Sequence, residues 1–88
     1  MTTVAVEVKI MPESPETNLE EIKKRIPEKI PEARNITIHT EDLAFGLKFL
    51  KVHVAWPETL DTDTIENKLS EIEGVSSAKI EDIRRAFG

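Results

Sequence analysis

Cysteine is absent from all 88 residues, which removes a disulfide framework, thiolate zinc sites and a cysteine nucleophile together. Glycine is almost as scarce. The three glycines stand at 46, 74 and 88, so no glycine-rich loop is available to cradle the phosphates of a nucleotide. Apolar runs fall far short of the roughly 20 residues that span a bilayer, and Met1-Thr2-Thr3 carries no basic leader; the expectation is a cytosolic protein with no membrane segment. Basic residues are in deficit, with 12 Lys and Arg against 17 Asp and Glu and a formal net charge of -5. That is the wrong sign for coating nucleic-acid phosphates.

What is present is a short chain with 39% hydrophobic residues, enough for one core and one domain over residues 1–88. Val4, Val6, Val8 and Ile10 alternate with Thr3, Ala5, Glu7 and Lys9, the period of a strand buried on one face. Two prolines in Met11-Pro12-Glu13-Ser14-Pro15 end it. Asn18, with Glu21 three residues on, opens a helix carrying Leu19, Ile22 and Ile26. Pro27 should end that helix near Ile26 or kink it toward Ile30, a broken helix closed by Pro31 being favoured.

Residues 35–40 alternate again through Ile36 and Ile38, as do residues 47–56 through Leu50, Val52, Val54 and Trp56. The short connection makes these two strands an antiparallel hairpin, because a parallel pair needs a longer crossover. Asp61 or Asp63 caps a second helix with Ile65, Leu69 and Ile72, and Gly74 stops it. Residues 75–83 supply a last strand whose alternation slips beyond Ile80, a sign of a bulge or an exit from the sheet. A tail, Arg84-Arg85-Ala86-Phe87-Gly88, follows. The order βαββαβ and right-handed crossovers predict an α+β, ferredoxin-like sandwich: a four-stranded antiparallel sheet in the order 4-1-3-2 with both helices on one face.

Few residues suggest chemistry. A hairpin centred near Ala44 sets His39 and His53 four ladder positions apart, roughly 13 Å, too far to share a metal. The abundant carboxylates form no pair beside an obvious cleft, and Trp56 reads as a core residue. No cofactor, metal ligand or catalytic residue is therefore assigned. Two features remain: Phe45 beside Gly46 in the hairpin loop, either an anchor for a partner's pocket or a lid over the end of the core, and the basic and aromatic tail with Arg84, Arg85 and Phe87.

Val8-Lys9-Ile10-Met11-Pro12-Glu13-Ser14-Pro15, Ala44-Phe45-Gly46-Leu47-Lys48, Glu71-Ile72-Glu73-Gly74-Val75 and Asp82-Ile83-Arg84-Arg85, in that order, resemble the archaeal elongation factor 1-beta family across essentially the whole chain. The resemblance implies a stand-alone guanine-nucleotide exchange domain, monomeric and cytoplasmic, that grips the GDP-bound GTPase elongation factor 1-alpha and touches no nucleic acid directly. The loop with Phe45, Gly46 and Lys48 matches the family's contact loop, and the second expected contact, through Arg84, Arg85 and Phe87, rests on the basic and aromatic character of the tail. Eukaryotic relatives place a basic residue next to the carboxyl terminus, whereas this sequence ends Phe87-Gly88, so the tail would act differently. The rival reading is a small regulatory or RNA-binding domain of the same fold; an RNA binder would cluster aromatics on the central strands, where Phe49 stands alone.

Overall fold

The computed structural model describes residues 3–86, the side chains of Ala44, Arg85 and Ala86 excepted. Its elements are β1 (Thr3–Pro12), α1 (Leu19–Lys29), β2 (Ile36–Asp42), a 3-10 turn (Ala44–Gly46), β3 (Lys48–Pro57), α2 (Asp63–Ser70) and β4 (Val75–Ala86). The strands form one four-stranded sheet in the order β2-β3-β1-β4, every neighbour antiparallel. This is the ferredoxin-like α+β sandwich and the strand order that the pattern predicts.

The core follows from the period-2 residues. Val6, Val8 and Ile10 of β1 and Leu50, Val52, Val54 and Trp56 of β3 are buried against Ile22 and Ile26 of α1 and Ile65 and Leu69 of α2. Both helices thus cover one face, and the other face of the sheet carries Glu7, Lys9, Lys51 and His53. Val4, at the end of β1, is only partly buried.

Local departures have physical causes. Asn18 caps α1 through Oδ1, which accepts from the backbone N–H groups of Glu20 and Glu21. The helix then runs through Pro27 to Lys29 instead of breaking at Ile26. Pro27 forfeits one backbone bond, but Ile30 N–H still donates to the Ile26 carbonyl at 3.2 Å, and Ile30 is fully buried, so packing holds the last turn. The second helix is shorter than its apolar pattern: it ends at Ser70, and Ile72 is buried from the turn that follows. Asp61 Oδ1 accepts from Asp63 N–H at 3.0 Å, although Thr62 holds the cap position. Gly74 serves the approach to β4 rather than the helix end. Its φ is +95°, and a Cβ there would lie 2.9 Å from Thr17 Cγ2, so any other residue would be strained and would have to displace Thr17.

The largest correction concerns β4. Arg84, Arg85 and Ala86 are not a tail but the end of a twelve-residue strand, opposite Ala5, Val4 and Thr3. Val8 faces Ile80 while Glu7 faces Asp82, so Glu81 is the extra residue of a bulge. The slip in alternation beyond Ile80 marks that bulge, not an exit. Glu66 of α2 supports it from the helix side, accepting from Ile80 N–H at 2.6 Å.

Candidate functional site

The hairpin between β2 and β3 closes with Asp42 opposite Lys48 and with Leu43 N–H donating to the Leu47 carbonyl at 2.7 Å. Five residues between the last paired positions force a sharp reversal. It is made by two successive left-handed residues, Phe45 at φ 64° and ψ 31° and Gly46 at φ 76°. Glycine adopts that region freely, whereas for an aromatic residue it costs about 1–2 kcal/mol. The Phe45 side chain is 99% exposed. The turn therefore spends backbone energy to present a phenyl ring to solvent with no intramolecular contact in return, and the core-lid alternative does not hold. Leu47, 37% exposed, and the exposed Lys48 flank it.

The other residues implicated by sequence lie elsewhere. Because β4 runs antiparallel to β1, Arg84 and Arg85 sit beside Ala5 and Val4, level with the far end of β3. From Lys48 to Ala55, the position level with Arg84 across β1, is seven strand steps, about 23 Å. The five of these residues that are described, Phe45, Gly46 and Lys48 on one side and Arg84 and Arg85 on the other, thus divide into two groups at opposite ends of the sheet. Arg84 is held in place by Asp82, Nε to Oδ2 at 2.8 Å, with 81% of its side chain exposed. Of Arg85 only the backbone is described, and Phe87 lies outside the described residues. Two further exposed apolar side chains, Leu60 and Ile83, lie toward this second end. The sequence reading missed both; the bulge at Glu81 was the available signal, since it is what brings Ile83 into register with Val6.

His39 and His53 are close rather than distant. Asp42 pairs with Lys48, so the hairpin centres on Phe45, His39 lies opposite Lys51 and His53 opposite Thr37. A shift of one residue in the centre moves each pairing by two, and the rings stand edge to face with centroids 5.8 Å apart. His53 Nε2 also lies 3.6 Å from Glu7 Oε1. Among the described residues no group of three or more His, Asp or Glu is arranged to hold a metal ion. A surface depression on the helix-free face is lined by Ala5, Glu7, His53, Asp82 and Arg84, with Val6 beneath. No described helix is long and apolar enough to cross a membrane.

An open hydrophobic tip and a separate basic end are the exposed features this small sandwich offers for contact with another protein. Comparison with known proteins places it: residues 5–86 match the EF-1 guanine nucleotide exchange domain. The chain is 44% identical to elongation factor 1-beta of Metallosphaera sedula, covering 97% of each chain. It is also 44% identical to elongation factor 1-beta of Methanothermobacter thermautotrophicus, covering 97% of this chain and 98% of that one, and 39% identical to that of Desulfurococcus amylolyticus, covering 97% and 98%. The chain belongs to the EF-1 guanine nucleotide exchange family, and its role is guanine-nucleotide exchange in translation elongation.

Proposed function

We propose that the 88-residue chain acts as one exchange domain that grips GDP-bound elongation factor 1-alpha at two separated points and stabilises the state from which GDP leaves. The hairpin tip, with Phe45, Gly46 and Lys48, is one contact. The end of β4, with Arg84 and Arg85, and Phe87 beyond the described residues, is the other. The observation that carries this reading is Phe45, a fully exposed aromatic held in left-handed backbone. Burying such a ring in a partner's pocket removes about 150 Å² or more of apolar surface, worth on the order of 4 kcal/mol before the costs of association.

Two contacts about 23 Å apart along the strands suit an exchange factor better than a single point. A factor that binds equally well before and after GDP release shifts nothing, so its contacts must favour the open state. Two rigidly spaced contacts discriminate between arrangements of a partner, because both can be made at once in one arrangement only. Each tenfold acceleration of release needs about 1.4 kcal/mol of such preference. The mechanism involves no covalent step, and the domain itself needs no cofactor, metal or nucleic acid. It works as a monomer in the cytoplasm.

The test is to measure binding to elongation factor 1-alpha and release of labelled GDP for Phe45→Ala, Arg84→Ala and the double variant. Both single variants are expected to slow exchange, with the double variant slower than either. Exchange unaffected by Arg84→Ala and by truncation before residue 84 would remove the second contact.

A further inference from the structure

The helix-free face of the sheet carries a line of basic residues that the exchange contacts do not use. Lys79 of β4 stands opposite Lys9 of β1, Lys9 opposite Lys51 of β3, and Lys51 opposite His39 of β2. Four basic side chains therefore cross the whole sheet in one row, about 14 Å long at the usual strand spacing. Like charges directly opposite each other on a sheet are destabilising, and this row has two such lysine pairs on a chain with five more acidic than basic groups. The nearby acids do not relieve it. Glu7 Oε1 lies nearest His53, at 3.6 Å, and Asp82 pairs with Arg84, and among the described residues neither Lys51 nor Lys79 has an ion-pair partner within 4.0 Å. Lys9 is held over the Phe49 ring, 4.7 Å from its centroid.

We infer that this row is a docking line for an acidic helix of a partner protein, laid across the strands on the open face of the sheet. The spacing supports a helix. Carboxylates at i, i+4 and i+8 project from one helix face about 5–6 Å apart, close to the strand-to-strand spacing of about 4.8 Å that separates the three lysines. Same-face side chains of an extended segment repeat at about 6.6 Å and match the row less closely. The surroundings disfavour RNA. Phe49 is 9% exposed with Lys9 over its ring, so the phenyl ring on this face is closed to base stacking. Glu7, Asp82 and Glu41 flank the row and would repel a polyanion continuing along the strands. The inference stands apart from the exchange contacts, which lie at the ends of the sheet.

The probe is a hydrocarbon-stapled 15-residue alanine-based peptide with Glu at positions 3, 7 and 11. It is titrated into the ¹⁵N-labelled full chain at low salt, beside a peptide of the same composition with Glu at 3, 5 and 8 and beside hexauridylate. The first peptide is expected to shift the amides of residues 9, 39, 51 and 79 saturably and at least threefold more tightly than either competitor. The double variant Lys51→Glu, Lys79→Glu should lose at least tenfold in affinity while melting no lower than the wild type, because the like-charge pairs are gone. Absence of saturable binding, equal binding by the respaced peptide, undiminished binding by the double variant, or tighter binding of hexauridylate would each overturn the inference.

Discussion

Replacing Phe45 by glycine should make the protein more stable and less active at once. The ring is 99% exposed, so its removal takes no buried apolar surface from the core. Its backbone stands at φ 64°, where a side chain costs about 1–2 kcal/mol that glycine avoids. Glycine loses about 0.4–1 kcal/mol of that gain through the greater freedom of the unfolded chain. The net expectation is a gain of about 0.5–1 kcal/mol, a rise in Tm of a few degrees for a domain this size. Phe45→Ala keeps the backbone cost and should change stability by less than about 0.5 kcal/mol. Both variants should slow GDP release from elongation factor 1-alpha at least tenfold, equivalent to about 1.4 kcal/mol of lost barrier stabilisation. Calorimetric melting and fluorescent GDP release on the same preparations make the comparison. A fall in stability of about 3–5 kcal/mol on Phe45→Ala, the loss expected of a core aromatic, would refute the assignment, as would undiminished exchange.

Removing residues 84–88 takes out the ladder positions opposite Ala5, Val4 and Thr3. It should cost about 1–3 kcal/mol by urea unfolding, so an exchange defect in that truncation must be checked against Arg84→Ala, whose exposed pair with Asp82 is worth less than about 1 kcal/mol. Gly74→Ala should destabilise by about 1–3 kcal/mol, since it combines positive φ with a Cβ crowding Thr17, and thermal melting will show it. Glu66→Ala leaves Ile80 N–H without its carboxylate and should cost about 1.5–3 kcal/mol, with faster amide exchange confined to the region of the bulge.

Much of this architecture is legible in alternation alone. The valines of β1 and β3 specify which face is buried, and with the short hairpin they lead to the observed strand order. The errors arise where backbone geometry departs from a regular repeat. Glu81 inserts one residue into β4, so Ile83 returns to register while Arg84 and Arg85 look like the polar end of the chain; an edge strand tolerates such residues because it is paired on one side only. Two left-handed residues at the hairpin tip move its centre from Ala44 to Phe45, which converts the distant histidines into neighbours. Pro27 has the opposite lesson: a local breaker is overridden because Ile26 and Ile30 are both buried. Phe45 as a contact residue is readable in the sequence only as an alternative to a core lid, since a loop aromatic can fold back; the exposure of the ring removes the lid, and the contact is the proposal made above.

The central claim is that this chain accelerates nucleotide release from elongation factor 1-alpha by contact alone. The most direct measurement follows fluorescent GDP leaving the purified GTPase, with excess unlabelled nucleotide present, as the protein is added in increasing amounts. The release rate should climb and saturate with concentration at least tenfold above the spontaneous rate, with the chain itself unmodified and needed only in catalytic amounts. A release rate that stays at its spontaneous value across the titration, with complex formation confirmed by sedimentation, would contradict it.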